Sequence, residues 1–251
     1  MKISIITICF NSAQYLEQTI RSVTGQTYAG REYIIIDGGS TDGTIDIIRK
    51  YEDKIDKWIS EPDHGIADAM NKGLAMASGD YVIFIHSDDY FVDSTSLEKA
   101  VGEIDGSCDM YIFQVISKFN DHDSLSKNND FGILTNLKMG SCHQGHLVKR
   151  SLFDKNGFFD PKFKICMDYD FVLRSYRNGA KALSVDLPIS VMRMTGISSR
   201  IDRAGLCERF SEEKMVHLKN CTSATMHLFY AFYWFCYPLY WRIKLSMDNI
   251  L

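Results

Sequence analysis

The chain has 251 residues, 45% hydrophobic and 24% charged, with Lys+Arg 28 against Asp+Glu 32 and a net charge of −4. That suffices for one large globular domain or two small ones, and it excludes a disordered chain, a disulfide mini-protein and a collagen-like repeat. The acidic balance argues against wholesale nucleic-acid binding, and no nucleic-acid partner is expected. The seven cysteines (9, 108, 142, 166, 207, 221, 236) are scattered and form no CxxC pair, so neither a zinc site nor a redox motif has support. The first apolar run begins at Ile3 with no leader before it, and reduced thiols without a signal read as a cytoplasmic chain.

The predicted elements alternate. Lys2–Cys9 is a β-branched run of the buried-strand kind. Asn11 and Gln14 read as an N-cap pair for a helix reaching about Gln26. Tyr33–Asp37 is a second strand, closed by Gly38-Gly39-Ser40, and Thr44–Tyr51 a second helix. Trp58–Ser60 is a short strand, Ile66–Met76 has helical spacing, and Tyr81–Ile85 is a further strand. Residues 118–130 are polar and turn-rich, a loop or hairpin. Strands alternating with helices predict an α/β fold, a mostly parallel sheet with flanking helices. Ligands in such sheets sit beyond the carboxyl ends of the strands, which directs attention to Asn11, to Asp37–Gly43 and to His86–Asp89.

Three acidic sites follow from that rule. Asp37 closes a strand before two glycines, where a carboxylate can accept hydrogen bonds from a ribose or base; a turn-capping Asp is the alternative. The stretch is not GxGxxG, which removes the main support for a dinucleotide dehydrogenase. Asp88-Asp89 sets two carboxylates side by side, an arrangement that a hard divalent cation would neutralise; a solvated acidic turn is the alternative. Asp168-Tyr169-Asp170 opens an apolar-periodic helix, where a favourable helix dipole alone explains acidic residues.

Together, and in this order, the blocks resemble family 2 inverting glycosyltransferases of GT-A fold, nearest the bacterial members that build surface polysaccharides. The blocks are Ile5-Ile6-Thr7 with Phe10-Asn11, Glu32 through Thr44, Glu61 through Gly73, Gly79 through Asp89, Cys142-His143-Gln144, and Met167 through Arg174. The resemblance covers about residues 1–200. It implies a nucleotide-sugar half over 1–105 and an acceptor half over 106–199. It implies that Thr7, Asn11, Asp37, Gly38, Asp68, Lys72, Ser87 and Asp88 bind the nucleotide-sugar. Asp88 and Asp89 would hold a divalent metal, Mn2+ or Mg2+, with Asp89 the more direct ligand. Asp168 would be the general base that takes the proton of an acceptor hydroxyl, with Asp170 as the reserve candidate. His143, Arg174, Arg193 and Arg200 are candidates for acceptor or phosphate contacts, and Met192–Ser199 for a loop closing over a diphosphate. Two positions depart from the family pattern: His86 stands where the metal motif commonly has Asp, and Met167 where the base motif often has Glu.

The C-terminal part differs. From Arg200 onward 7 Lys/Arg meet 5 Asp/Glu, leaving 21 against 27 for residues 1–199. Asp202–Lys219 has helical spacing, and Asn220–Trp241 has no charged residue when His227 is neutral. Nine of the 14 residues 228–241 are aromatic in a chain that is 12% aromatic overall. On a helix Leu228, Phe232, Phe235 and Leu239 share one face and Tyr230, Tyr233, Tyr237 and Tyr240 another, with Pro238 expected to kink it. A helix lying at the inner membrane face fits best, ahead of a packing or oligomer helix and of a span. The resulting expectation is a metal-dependent transferase at the cytoplasmic face of the membrane. It would move a hexose or N-acetylhexosamine from a UDP-sugar to a polyprenyl-diphosphate-linked saccharide, as a monomer or homo-oligomer. A catalytically silent nucleotide-sugar-binding subunit stays open as the alternative. A nucleotidyltransferase would carry a glycine- and lysine-rich phosphate loop, which Phe10-Asn11-Ser12 is not.

Overall fold

The computed structural model describes residues 1–126, 131–194, 196, 200 and 202–247, with the backbone alone for Arg203 and 242–247. The first half is strand β1 (Ile3–Cys9), helix α1 (Leu16–Thr24), β2 (Arg31–Asp37), α2 (Thr44–Lys50), β3 (Lys57–Ser60), α3 (Ile66–Met76), β4 (Tyr81–Phe84), β5 (Tyr90–Phe91) and α4 (Ser96–Gly102). Then come β6 (Met110–Lys118), β7 (Asp123–Leu125), β8 (His146–Lys149), α5 (Arg150–Asn156), α6 (Met167–Arg177), β9 (Ala182–Arg193), α7 (Arg203–Lys219) and α8 (Ala224–Met247).

Among the described residues these strands form one sheet in the order β3-β2-β1-β4-β8-β6-β9-β5, with β7 beside β6. The expected parallel sheet is correct for its first half, where β1 pairs in parallel with β2 and β4, and β2 with β3. The second half is mixed. Strand β8 runs antiparallel to both β4 and β6, β5 to β9, and β7 to β6 as a hairpin. Alternation along β1 feeds two cores, Ile6 and Ile8 toward α3 and α6, Ile3, Ile5 and Cys9 toward α1 and α4. Glu32 is buried at the start of β2 and accepts from Ser4 Oγ at 2.7 Å and the Ser78 N–H at 2.8 Å. Those bonds, with Lys2 and Lys57, hold its carboxyl well below the usual carboxylate range against the opposing cost of burial.

Two local expectations change. Helix α1 starts at Leu16 with no side-chain cap. Asn11 instead takes a positive φ of 48° and accepts the Thr41 N–H at 3.0 Å, so it ties two loops rather than capping a helix. Helix α8 continues through Pro238, which forgoes one backbone bond without ending it.

The segment from residue 202 is built into the α/β unit. Asp202 caps α7 by accepting from Ala204 and Gly205 N–H, each at 3.0 Å. The Glu212 carboxylate accepts the N–H groups of Lys164, Ile165 and Cys166 at 2.8–2.9 Å, the turn leading into α6. On α8, Tyr230 and Trp234 face inward; His217 of α7 stacks on Tyr230 and accepts from Trp234 Nε1 at 3.0 Å. The opposite face leaves Leu228, Phe232, Phe235 and Leu239 exposed. No helix among the described residues is long and apolar enough to cross a membrane.

Glu212→Ala should cost about 2 kcal/mol, because the N–H groups of Lys164, Ile165 and Cys166 lose a charged acceptor together. Urea unfolding would measure it, and amide exchange at Lys164–Cys166 should accelerate.

Candidate active site

The carboxyl ends of β1 and β4, the turn 143–145 and the start of α6 open onto one cleft of about 420 Å³. Phe10, Asp63, Asp88, Asp89, His143, Asp168 and Arg193 line it. It lies at the end of the sheet where β1 is flanked by β2 and β4, the place expected for a ligand in this architecture.

Of the predicted site residues, Ser87, Asp88, Asp89, His143, Asp168 and Arg193 meet there. Asp168 is the second residue of α6; its Oδ1 accepts the Tyr169 N–H at 2.7 Å and its Oδ2 lies 3.3 Å from His143 Nδ1. Asp89 is buried, with Oδ2 accepting from Gln144 Nε2 at 3.0 Å and Oδ1 without a partner among the described residues. Burial first, and the neighbouring Asp88 second, push its carboxyl up to about 7. Ser87 Oγ pairs with Ser12 Oγ at 2.8 Å. The Arg193 guanidinium lies 4.5 and 4.8 Å from the Tyr15 and Tyr90 ring centres and donates to the Asp88 carbonyl.

The others play different parts. Asp37 is fully buried. Its Oδ2 accepts the Gly39 and Ser40 N–H groups at 3.1 and 3.0 Å and Ser60 Oγ–H at 2.6 Å, while Oδ1 takes Ser40 Oγ–H at 2.5 Å. With both oxygens engaged it shapes the loop, and it is not among the residues lining the cleft. Thr7 is likewise buried, donating to the Ile85 carbonyl at 2.6 Å. Asn11 spends its side chain on Thr41, as above. Lys72 binds Glu61 at 2.8 Å and the Pro62 carbonyl at 2.9 Å, and Asp68 accepts the His64 N–H at 3.0 Å. That pair braces the 61–68 loop from outside the cleft. Arg174 holds Asp170 at 3.0 Å and the carbonyls of residues 156–158. Arg200 pairs with Asp202 at 3.0 Å and with Glu208 at 3.6 Å. Asp170 is buried and bound by Arg174, Lys219 and Asn220, which leaves it no role as a base. Of the stretch Met192–Ser199, residues 195 and 197–199 lie outside the described residues.

Sequence reasoning missed Asp63. A side chain at Gly38 would bring its Cβ to 2.5 Å from Asp63 Oδ2, so the glycine makes room for that carboxylate beside the Phe10 ring. Phe10 is 63% exposed at the cleft mouth. The signal was present in two adjacent facts, a glycine after Asp37 and an acid in Glu61-Pro62-Asp63, but only the fold joins them. The acids of the cleft, Asp63, Asp88, Asp89 and Asp168, outnumber its cations, Lys164 and Arg193. Such a field suits a ligand that arrives with a cation.

The family model for glycosyl transferase family 2 matches residues 4–174. An uncharacterised glycosyltransferase of Mycobacterium tuberculosis is 36% identical over 179 residues, 69% of this chain and 68% of that one. A PGL/p-HBAD biosynthesis glycosyltransferase of Mycobacterium bovis is 30% identical over 188 residues, 70% of each chain. Among solved structures, Staphylococcus aureus TarS 1–349 in complex with UDP-GlcNAc superposes with a TM-score of 0.68 at 19% identity, over 88% of this chain and 71% of that one. The mannosyltransferase PcManGT of Pyrobaculum calidifontis, in complex with GDP-Man and Mn2+, gives 0.67 at 16% identity, over 90% and 66%. The fold is that of GT-A glycosyltransferases. The chain belongs to glycosyl transferase family 2.

The Asp89 shift sets a stability test. Its folded value near 7 exceeds the ordinary 3.8, so between those pH values the folded state keeps a proton that the unfolded chain has lost. Stability therefore falls as pH rises from about 4 to 7 and stays reduced above. Asp89→Asn should raise the Tm of metal-free protein at pH 8 by about 5 °C, with the gain gone at pH 4. Calorimetry at the two pH values checks this.

Proposed function

We propose that this chain transfers a sugar, with inversion, from a UDP-sugar to a hydroxyl of a saccharide carried on a polyprenyl diphosphate. The donor sugar is a hexose or N-acetylhexosamine, and the setting is bacterial surface-glycan synthesis at the inner membrane face. The observation that carries the reading is the convergence of Asp168 with Asp88 and Asp89 on one cleft beneath the exposed Phe10 ring. The relatives named for glycan or glycolipid synthesis, and the neighbours that hold UDP-GlcNAc and GDP-Man, support it.

The base of the nucleotide stacks on Phe10, and Asp63 accepts an N–H from the base edge. Arg193, already oriented by two aromatic rings, faces the diphosphate. Asp168 takes the proton of the acceptor hydroxyl as the acceptor oxygen bonds to the anomeric carbon. The bond from that carbon to the diphosphate oxygen breaks on the opposite face, and the nucleoside diphosphate leaves with the electron pair.

The residues fit a divalent metal. Asp89 Oδ1 is a buried acceptor without a protein partner among the described residues, next to Asp88. No group of three His, Cys, Asp or Glu among the described residues forms a complete cage. One or two carboxylates completed by phosphate oxygens is the usual Mg2+ complement. Asp88 and Asp89 would hold the ion, which when bound neutralises charge on the departing diphosphate.

The exposed face of α8, with Phe232 and Phe235 at 68% and 76% exposure, lies on the membrane, and the last turns of the helix carry Arg242 and Lys244.

Calorimetric titration with UDP, with and without Mn2+, should show metal-dependent binding that Asp89→Ala abolishes. Absence of binding to UDP, GDP, dTDP, CMP and ADP alike would overturn the reading and leave a silent scaffold that takes no nucleotide. Asp168→Asn should keep UDP binding and lose about 10³-fold or more in transfer; normal turnover would remove Asp168 as base. The pair Phe232→Ser and Phe235→Ser, on the solvent face of a folded helix, should lose flotation with phosphatidylglycerol–phosphatidylethanolamine vesicles at unchanged Tm. Retained flotation would remove α8 from the membrane.

A further inference from the structure

His143 is engaged at both ring nitrogens. Nδ1 lies 3.3 Å from Asp168 Oδ2, and Nε2 lies 2.9 Å from Nε2 of His86. The turn that carries it is held from three sides. The Gln144 carbonyl accepts Ser190 Oγ–H at 2.9 Å, and the Gln144 amide donates to Asp89 at 3.0 Å. Gly145 packs so tightly that a Cβ there would come within 2.2 Å of the Phe113 carbonyl. The imidazole therefore sits on a turn fixed to β6, β9 and the end of β4.

Proton counting gives the chain of bonds a direction. A carboxylate accepts only, so the tautomer that suits the 3.3 Å approach of Asp168 Oδ2 carries its proton on His143 Nδ1. In the neutral ring Nε2 is then an acceptor, and the donor at 2.9 Å is His86 Nε2–H. The His86 ring also lies against Phe84, with ring centres 6.1 Å apart. Its Nδ1 is buried without a partner among the described residues. In this tautomer that atom is a bare acceptor rather than a stranded N–H, the less costly of the two. A carboxylate at position 86 has no proton to give to His143 Nε2. The two histidines are thus a matched pair, and the departure at 86 has a structural consequence.

We infer that His143, oriented in turn by His86, is a positioning residue for Asp168: it fixes the rotation of the carboxylate so that an oxygen stays aimed at the acceptor hydroxyl. The inference rests on Asp168 being the base. With the Tyr169 N–H bonded to Oδ1 and the imidazole in contact with Oδ2 at 3.3 Å, the carboxylate has a neighbour at each oxygen that limits its rotation. A freely rotating carboxylate on the rim of a cleft would present the right lone pair only part of the time, and a misaimed group can cost about 10²-fold.

The test uses the full chain, with UDP release from UDP-glucose, UDP-galactose and UDP-GlcNAc as the activity, and calorimetric UDP binding as the check on the donor site. His143→Leu should lower kcat about 100-fold with KM and UDP affinity within about twofold. His143→Asn, whose side-chain N–H substitutes for Nδ1–H, should recover about tenfold of that loss, and His86→Leu should cost about tenfold because it acts through His143. Equal defects in His143→Leu and His143→Asn, or a defect confined to KM, would overturn the inference. If Asp168→Asn is inactive while His143→Leu turns over normally, the positioning role falls and the base stands. If Asp168→Asn turns over normally, the base reading falls first. Long-range ¹H–¹⁵N spectra of histidine-labelled wild type read the tautomers without any substitution. Nδ1–H on His143 with Nε2–H on His86 is expected; Nε2–H on His143 with a bare Nδ1 would overturn it.

Discussion

The cleft depends on a carboxylate whose oxygens are both bound within the protein. Asp37 ends β2 and buries its charge among the Gly39 and Ser40 N–H groups and the Ser40 and Ser60 hydroxyls. A buried carboxylate is tolerated only when its lone pairs are met, and here meeting them folds the loop after β2 and joins it to the end of β3. Asn11, whose N–H donates to Ser40 Oγ at 2.7 Å, then carries the loop after β1 into place. The Phe10 ring is left exposed beside Asp63 as a result. Removing the Asp37 charge would strand several donors at once, so its effect on activity would arise through the loop.

The same logic separates reacting groups from scaffolding across the site. Asp170, two residues from Asp168, has Arg174, Lys219 and Asn220 around a buried carboxylate and knits α6 to α7. Asp168 has one backbone N–H and one imidazole and stays open to the cleft. Asp89 differs from both, buried with an oxygen unmet, and that shortfall is the reason a cation suits it. Equivalent side chains thus differ in how many donors each one has been given, and the proposed function uses that difference to set structure, base and cation ligand apart.

Much of this was legible in the sequence because it is local. Helix α3 runs over Ile66–Met76 as its spacing predicts, and the segment after β4 and the start of α6 deliver Asp88, Asp89 and Asp168 to one cleft. What was not legible depends on partners far along the chain. Asn11 looks like a cap because a short polar side chain before a helix usually accepts a nearby N–H; its actual donor, Thr41, is 30 residues away. Asp37 looks like a ligand contact by its place at a strand end; Ser60, 23 residues on, adds a donor to the oxygen that the Gly39 and Ser40 N–H groups already hold. His143 reads as an isolated polar residue, because His86 is 57 residues earlier. Lys72 and Arg174 follow the same pattern, their side chains paired with Glu61 and Asp170.

The C-terminal helices are where the composition said most and the topology added most. The division of α8 into a tyrosine–tryptophan face and a leucine–phenylalanine face follows from spacing, and the fold sets the first against His217 while leaving the second exposed. The added element is the route from that helix to the chemistry. Trp234 donates to His217 Nδ1, His217 Nε2 pairs with Tyr169 Oη at 2.7 Å, and Tyr169 adjoins Asp168. Burial lowers the His217 imidazole to about 4, so the link is uncharged near neutral pH, and Tyr169 Oη also donates to the Thr135 carbonyl at 3.0 Å. With Tyr169 donating there, the His217–Tyr169 bond takes its proton from His217 Nε2, leaving Nδ1 to accept from Trp234. Each polar atom in this buried chain therefore has one consistent role, and α6 is locked against α8 through it. A face of α8 resting on lipid would consequently hold Asp168 at a set height above the membrane, where a saccharide on a lipid diphosphate must present its hydroxyl.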